Sequence, residues 1–152
     1  MPKVVIADTS CFIILSNINR LDILQLVYGE IITTSTILDE FGTALPDWVK
    51  IISPTDLQKQ VILELQVDKG EASAIALALE LDNSTIVLDD LEARVLAKKL
   101  GITVTGTLGI LAKAKLNGFI SSVKPLLEKI KQTNFRITAA LEASVLKEAG
   151  EQ

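Results

Sequence analysis

The sequence contains no histidine, and this absence excludes more chemistry than any residue present. Zinc sites of the usual kind and Ser-His or Cys-His catalysis depend on an imidazole. Catalysis in this chain therefore falls to carboxylates, hydroxyls, lysines or a metal ion. A single cysteine, Cys11, cannot form an internal disulfide, which agrees with a reducing compartment. Long apolar runs are missing too: the stretch 72–81 is interrupted by polar residues and falls far short of the roughly 20 residues of a membrane span. Met1-Pro2-Lys3 leads straight towards a strand without an apolar secretory segment. These absences predict a soluble, cytoplasmic protein with no membrane association. No internal repeat or low-complexity linker divides the 152 residues, a length usual for one domain and sufficient for a real core.

What the chain does have is charge, and it is segregated. The net charge is −4, yet residues 1–92 carry 5 Lys/Arg against 15 Asp/Glu (net −10), residues 93–136 carry 9 against 1 (net +8) and residues 137–152 carry 1 against 3 (net −2). An acidic half able to hold cations beside a basic half able to hold phosphates points to a polyanionic partner. The same lysines could equally do no more than solvate outer helix faces.

Apolar periodicity switches repeatedly between strand and helix. Short β-branched runs predict strands at 4–7, 31–33, 85–88 and 102–105, with a minor one at 48–52. Helical spacing predicts segments around 21–27 (ended by Gly29), 36–41 (capped by Ser35, stopped by Gly42), 57–65, 69–81, 92–100, 108–116, 123–131 and 137–149. Strands alternating with helices predict an α/β fold, a three-layer α/β/α sandwich with a central parallel sheet. The whole chain, 1–152, is expected to be one domain, with 119–152 a helical C-terminal extension of it.

Acids stand where strand patterns give way to helix signals: Asp8 after Val4-Val5-Ile6-Ala7, and Asp89-Asp90 after Thr85-Ile86-Val87-Leu88. Carboxyl ends of parallel strands are where open α/β sheets bind ligands. An N-cap would account for Asp8, but an unpaired carboxylate behind a central strand is costly without a cation or several donors. Glu40 falls in the last turn of a short helix, where the macrodipole disfavours it, with Asp39 as a competitor. Glu71 could complete a capping box with Asp68. Of Asp89 and Asp90, one could cap a helix and the other face the crevice. Several carboxylates close together need a cation, and oxygen donors without His or Cys select Mg²⁺ or Mn²⁺. Phosphodiester hydrolysis is the reaction class this suggests. The segment Thr103-Val104-Thr105-Gly106-Thr107-Leu108-Gly109 reads as strand, turn and helix start, where free N–H groups and the Thr105 and Thr107 hydroxyls could hold a phosphate.

These residues resemble the PIN-domain family, in its small prokaryotic branch, over roughly the first 110 residues. The likeness is carried by the opening strand with Asp8-Thr9-Ser10, by Glu40, by Gly70-Glu71-Ala72, by Leu88-Asp89-Asp90-Leu91-Glu92-Ala93-Arg94 and by Gly106-Thr107-Leu108-Gly109. The resemblance implies a Mg²⁺- or Mn²⁺-dependent ribonuclease, with Asp8, Glu40, Glu71 and Asp90 catalytic and with metal ligands drawn from Asp8, Glu71, Asp89 and Asp90. It departs from the family pattern in having Glu71 for the usual Asp and Leu88 for the usual Thr, which leaves Asp89 a rival to Asp90. Candidate substrate-binding residues are Ser10, Arg94, Lys98, Thr105, Thr107 and Lys113. The expected activity is endonucleolytic cleavage of RNA leaving a 3′-hydroxyl and a 5′-phosphate, by the toxin of a toxin–antitoxin pair. Expected partners are RNA, a small antitoxin protein and a second copy of the chain. Two other readings stand beside it: a non-catalytic nucleic-acid- or antitoxin-binding module, and a phosphotransfer domain using Asp8 as nucleophile, although Asp8-Thr9-Ser10 lacks the second Asp such domains need.

Overall fold

A computed structural model describes residues 4–151; Met1-Pro2-Lys3, with the reading made on them, and Gln152 lie outside the described residues. Five strands, β1 (Val4–Ala7), β2 (Ile31–Thr33), β3 (Val49–Ile51), β4 (Ser84–Val87) and β5 (Thr103–Thr105), form one sheet in the order β3-β2-β1-β4-β5. Every pairing is parallel. Among the described residues the helices are α1 (Thr9–Asn17), α2 (Asp22–Tyr28), α3 (Ser35–Phe41), α4 (Leu57–Leu63), α5 (Lys69–Glu80), α6 (Leu91–Lys99), α7 (Thr107–Leu116), α8 (Lys124–Lys131) and α9 (Ala139–Glu148). Successive residues of a strand face opposite sides of a sheet, and Val5, Ile6 and Ala7 are all buried, as are Thr85, Ile86 and Val87. Both faces are thus covered, as the α/β/α reading requires.

α5 is buried from Gly70 through Ala78. Small residues let it lie close to β1 and β4 while α3 and α4 pack on it. No single helix among the described residues is long and apolar enough to cross a membrane. Cys11 is fully buried and free.

Some boundaries differ from the periodicity reading. The cap of α3 is Thr34, not Ser35: the Thr34 side chain accepts from the Ile37 amide at 3.2 Å, while the Ser35 hydroxyl lies 2.9 Å from that of Ser53. α4 stops at Leu63, leaving Leu65 outside the helix and 82% exposed. The last helix starts two residues late, because the Thr138 side chain caps it by accepting from the Leu141 amide.

α9 is tied back by Glu151, whose carboxylate accepts from the Ser122 hydroxyl at 2.6 Å and the Val123 amide at 2.7 Å, with Lys115 Nζ 3.4 Å away. These donors lower its pKa from 4.5 to about 2, Ser122 contributing most. The charged form is the bonded one, so the stabilisation is present above pH 4.5 and is lost as pH falls towards 2. Glu151→Ala should therefore cost about 1 kcal/mol at neutral pH. Urea melts of the two proteins should differ at pH 7 and converge near pH 2; a constant difference would assign the loss to packing instead.

Candidate active site

Ala7 and Val87 are register partners at the ends of β1 and β4. From this pair the sheet is built outwards in opposite directions, through β2 to β3 and separately to β5. The residues that follow both strands therefore emerge together at the switch point, the crevice where sheets of this kind take ligands. The buried Thr33 hydroxyl donates to Ala7 O at 2.8 Å, closing the strand end so that the chain leaves it at Asp8.

Asp8 occupies the cap position of α1, but its carboxylate makes no capping bond, so capping does not account for it. It is 4% exposed. Burial raises its pKa from 3.8 to about 8; the Thr9 amide pulls it down, and the charges of Glu71, Asp68 and Glu40 push it up. None of the ion pairs formed among the described residues involves it.

The other acids are each partly occupied. Glu71 and Asp68 form the anticipated capping box: Asp68 Oδ1 accepts from the Glu71 amide at 2.8 Å and Glu71 Oε1 from the Asp68 amide at 3.2 Å. That return bond uses one oxygen of Glu71, whose pKa is raised to about 7, first by burial. Glu40 Oε1 accepts from the Thr9 hydroxyl at 2.6 Å, while Asp39 lines a separate depression with Gly42 and Thr43. Asp90 caps α6, its Oδ2 accepting from the Ala93 amide at 3.1 Å. Asp89 accepts three bonds, from the Thr107 amide at 2.8 Å, the Thr107 hydroxyl at 2.6 Å and the Ser10 hydroxyl at 3.2 Å.

Asp8, Glu40, Asp68, Glu71, Asp89 and Asp90 line one open pocket of about 630 Å³ with Thr9, Ser10, Ile13, Phe135 and Arg136. Its donor chemistry is that of a cation site: the acids offer only oxygen, and the buried Asp8 carboxylate forms no ion pair among the described residues. Among the described residues no three acids are arranged as a finished cage. Mg²⁺ does not need one, since it keeps several waters and is held by one or two carboxylates. The donor set, carboxylate and hydroxyl oxygens, fits a hard divalent ion.

The expected substrate contacts are placed differently. The first free amide of α7 and the hydroxyl beside it, both of Thr107, are engaged by Asp89; the anion at this helix start is the chain's own carboxylate, not a phosphate. Thr105 and Arg94 line a neighbouring pocket under α9, and Arg94 donates to Leu88 O at 2.8 Å. Lys98 is exposed on α6 and does not line the acidic pocket. Lys113 stands over the Tyr28 ring, 5.6 Å from its centroid. Of the proposed contacts only Ser10 lines the acidic pocket. Residues not anticipated there are Thr9, Ile13, Asp68, Phe135 and Arg136. Thr9 and Asp68 carry a sequence signal, a hydroxyl next to Asp8 and a box partner for Glu71. Phe135 and Arg136 arrive through the fold-back between α8 and α9, which no local pattern announces.

A family model described as a PIN domain matches residues 4–151. A comparison with curated proteins finds no match.

Proposed function

Because the chain belongs to the PIN-domain family, whose members are generally nucleases, we propose that it is a Mg²⁺- or Mn²⁺-dependent endoribonuclease acting on single-stranded RNA. The observation that carries the reading is Asp8: a buried carboxylate that makes no capping bond and, among the described residues, no ion pair, lining an open pocket that holds five more acids. A bound ion supplies charge against the phosphoryl oxygens and makes water a better nucleophile. The chain's own part is to hold that ion with Asp8, Glu71 and Asp90, to keep Glu40 in place through Thr9, and to meet the RNA backbone at the rim with Arg136, the one cation among the described residues that lines the pocket. Ser10 is committed to Asp89 and so orients rather than binds. The same proposal includes the role of toxin, with a small antitoxin and a second copy of the chain as partners, and cytoplasmic residence; growth arrest on induced expression tests the first of these.

Purified protein should cut single-stranded RNA in Mn²⁺ and stop when EDTA is added. Independently, Mn²⁺ at 100-fold over its Kd should stabilise the fold by about 2.7 kcal/mol, a rise in Tm of roughly 5–10 °C for a chain of this size. No cleavage and no thermal shift together would remove the proposal. One set of observations favours a second reading, a non-catalytic module: Glu71, Asp89 and Asp90 all have structural bonds. Calorimetry separates the two, since that module binds RNA without binding the metal.

A further inference from the structure

We infer that Gly70 is a positioning residue for Glu40, its missing side chain forming the seat that holds that carboxylate over the acidic pocket; the inference rests on the nuclease reading above. A Cβ built on Gly70 would overlap Glu40 Oε1 and lie 2.9 Å from Glu40 Cδ and 3.1 Å from Oε2. Both carboxylate oxygens and the carbon between them thus press against a bare Cα.

Helix conformation does not require glycine there. Gly70 is the second residue of α5 and is not among the glycines with positive φ, so alanine would be the better helix former. Nor does the core require it, because the atoms in the way are the far end of an exposed side chain. An added methyl group is accommodated by Glu40 swinging into water. Glycine at this position therefore gives up helix propensity and gains only the place of one carboxylate.

Three further bonds fix the seat. The Thr9 hydroxyl holds Glu40 Oε1 from the α1 side at 2.6 Å. Ser73, one turn along α5, donates to Gly70 O at 2.7 Å, and its hydroxyl lies 2.7 Å from that of Thr34, the cap of α3. Thr34 and Ser73 are fully buried, so the helix carrying Glu40 and the turn carrying Gly70 are joined by a hydrogen-bonded pair that water does not reach. The seat also lies in the first turn of α5, the positive end of its dipole, which favours the charge that the end of α3 disfavours.

The test compares wild type, Gly70→Ala, Glu40→Gln, the double variant and Thr9→Val. Gly70→Ala should melt no lower than wild type, yet need about tenfold more Mn²⁺ for half-maximal RNA cleavage and lose most of the activity that Glu40→Gln loses. Combining it with Glu40→Gln should cost nothing further, because the seat has nothing left to hold. Thr9→Val should shift the Mn²⁺ requirement in the same direction. A Gly70→Ala protein with unchanged Mn²⁺ requirement, or losses that multiply in the double variant, overturns the inference while leaving the nuclease reading standing. A wild type with neither cleavage nor Mn²⁺ stabilisation removes that reading instead, and the Glu40 rotamer in crystals of Gly70→Ala then decides the seat: displaced supports it, unmoved refutes it.

Discussion

Asp8→Asn is expected to abolish metal-dependent RNA cleavage and, in the same protein, to raise the stability of the metal-free fold. Loss of groups that merely support a metal ligand costs 10–100-fold in affinity or activity, so loss of a ligand should cost at least about 100-fold. The stability gain follows from burial. Asp8 is 4% exposed, its pKa is raised from 3.8 to about 8, and Glu71, Asp68 and Glu40 add like charge around it. The folded chain therefore holds a proton there that the unfolded chain releases, and the associated stability is fully present below pH 3.8 and is lost as pH rises through about 8. Asparagine avoids this loss. The variant should match wild type near pH 4, exceed it by up to roughly 5 kcal/mol at pH 8, and fail to gain the Mn²⁺ stabilisation that wild type shows. Urea melts across pH 4–8 with and without Mn²⁺ measure all three. A pH-independent difference would mean that Asp8 is not the buried acid it is taken for, and retained cleavage would remove it from the site.

The sheet and its coverings are legible in the sequence because the inner strands β1, β2 and β4 are short β-branched runs buried along almost their whole length, and because α2 and α3 carry their own stops in Gly29 and Gly42 at positive φ. The edge strands β3 and β5 are more exposed and leave a fainter pattern. Cap choice is not legible where two hydroxyls are adjacent. Thr34 rather than Ser35 caps α3 because Thr34 faces Ser73 of α5, a neighbour 39 positions away. The acids other than Glu40 are legible for a related reason: strand ends and helix starts are local features, and the parallel sheet brings them to one edge; Glu40, in the last turn of α3, is marked only by the family resemblance. Asp8, Glu40, Glu71, Asp89 and Asp90 accordingly share a pocket.

The cations are not legible. Counting charge along the chain shows that residues 93–136 are basic, but not what each lysine meets after folding. Lys113 covers Tyr28, Lys115 holds Glu151, and Lys131 pairs with Glu128 and Glu142. Much of the basic segment thus fastens the C-terminal helices to one another and to α2. Arg136 reaches the acids because the connection between α8 and α9 passes over them. Amphipathic spacing fixes which face of a helix is wet, not which neighbour stands opposite it.

The adjacent acids Asp89 and Asp90 separate on the same grounds, and Asp89→Ala is expected to cost the fold about 3 kcal/mol against about 1 kcal/mol for Asp90→Ala. Asp89 is a brace. Its carboxylate binds the amide and hydroxyl of Thr107, which is fully buried, and the hydroxyl of Ser10, so it ties the end of β4 to the start of α7 and to α1. Removing it strands two donors where water does not replace it, and takes a negative charge from the start of α7 where the dipole favours one. Asp90 is exposed and makes one capping bond, to the Ala93 amide; its other oxygen is free to serve a cation in the pocket. Thermal melts should show Tm lower by roughly 6–12 °C for Asp89→Ala and by roughly 2–4 °C for Asp90→Ala. Metal binding should rank the other way, with Asp90→Asn weakening Mn²⁺ in calorimetry and Asp89→Asn, which keeps an acceptor for the Thr107 amide, changing it little. The opposite ranking in both measurements would make Asp89 the ligand and Asp90 only a helix cap.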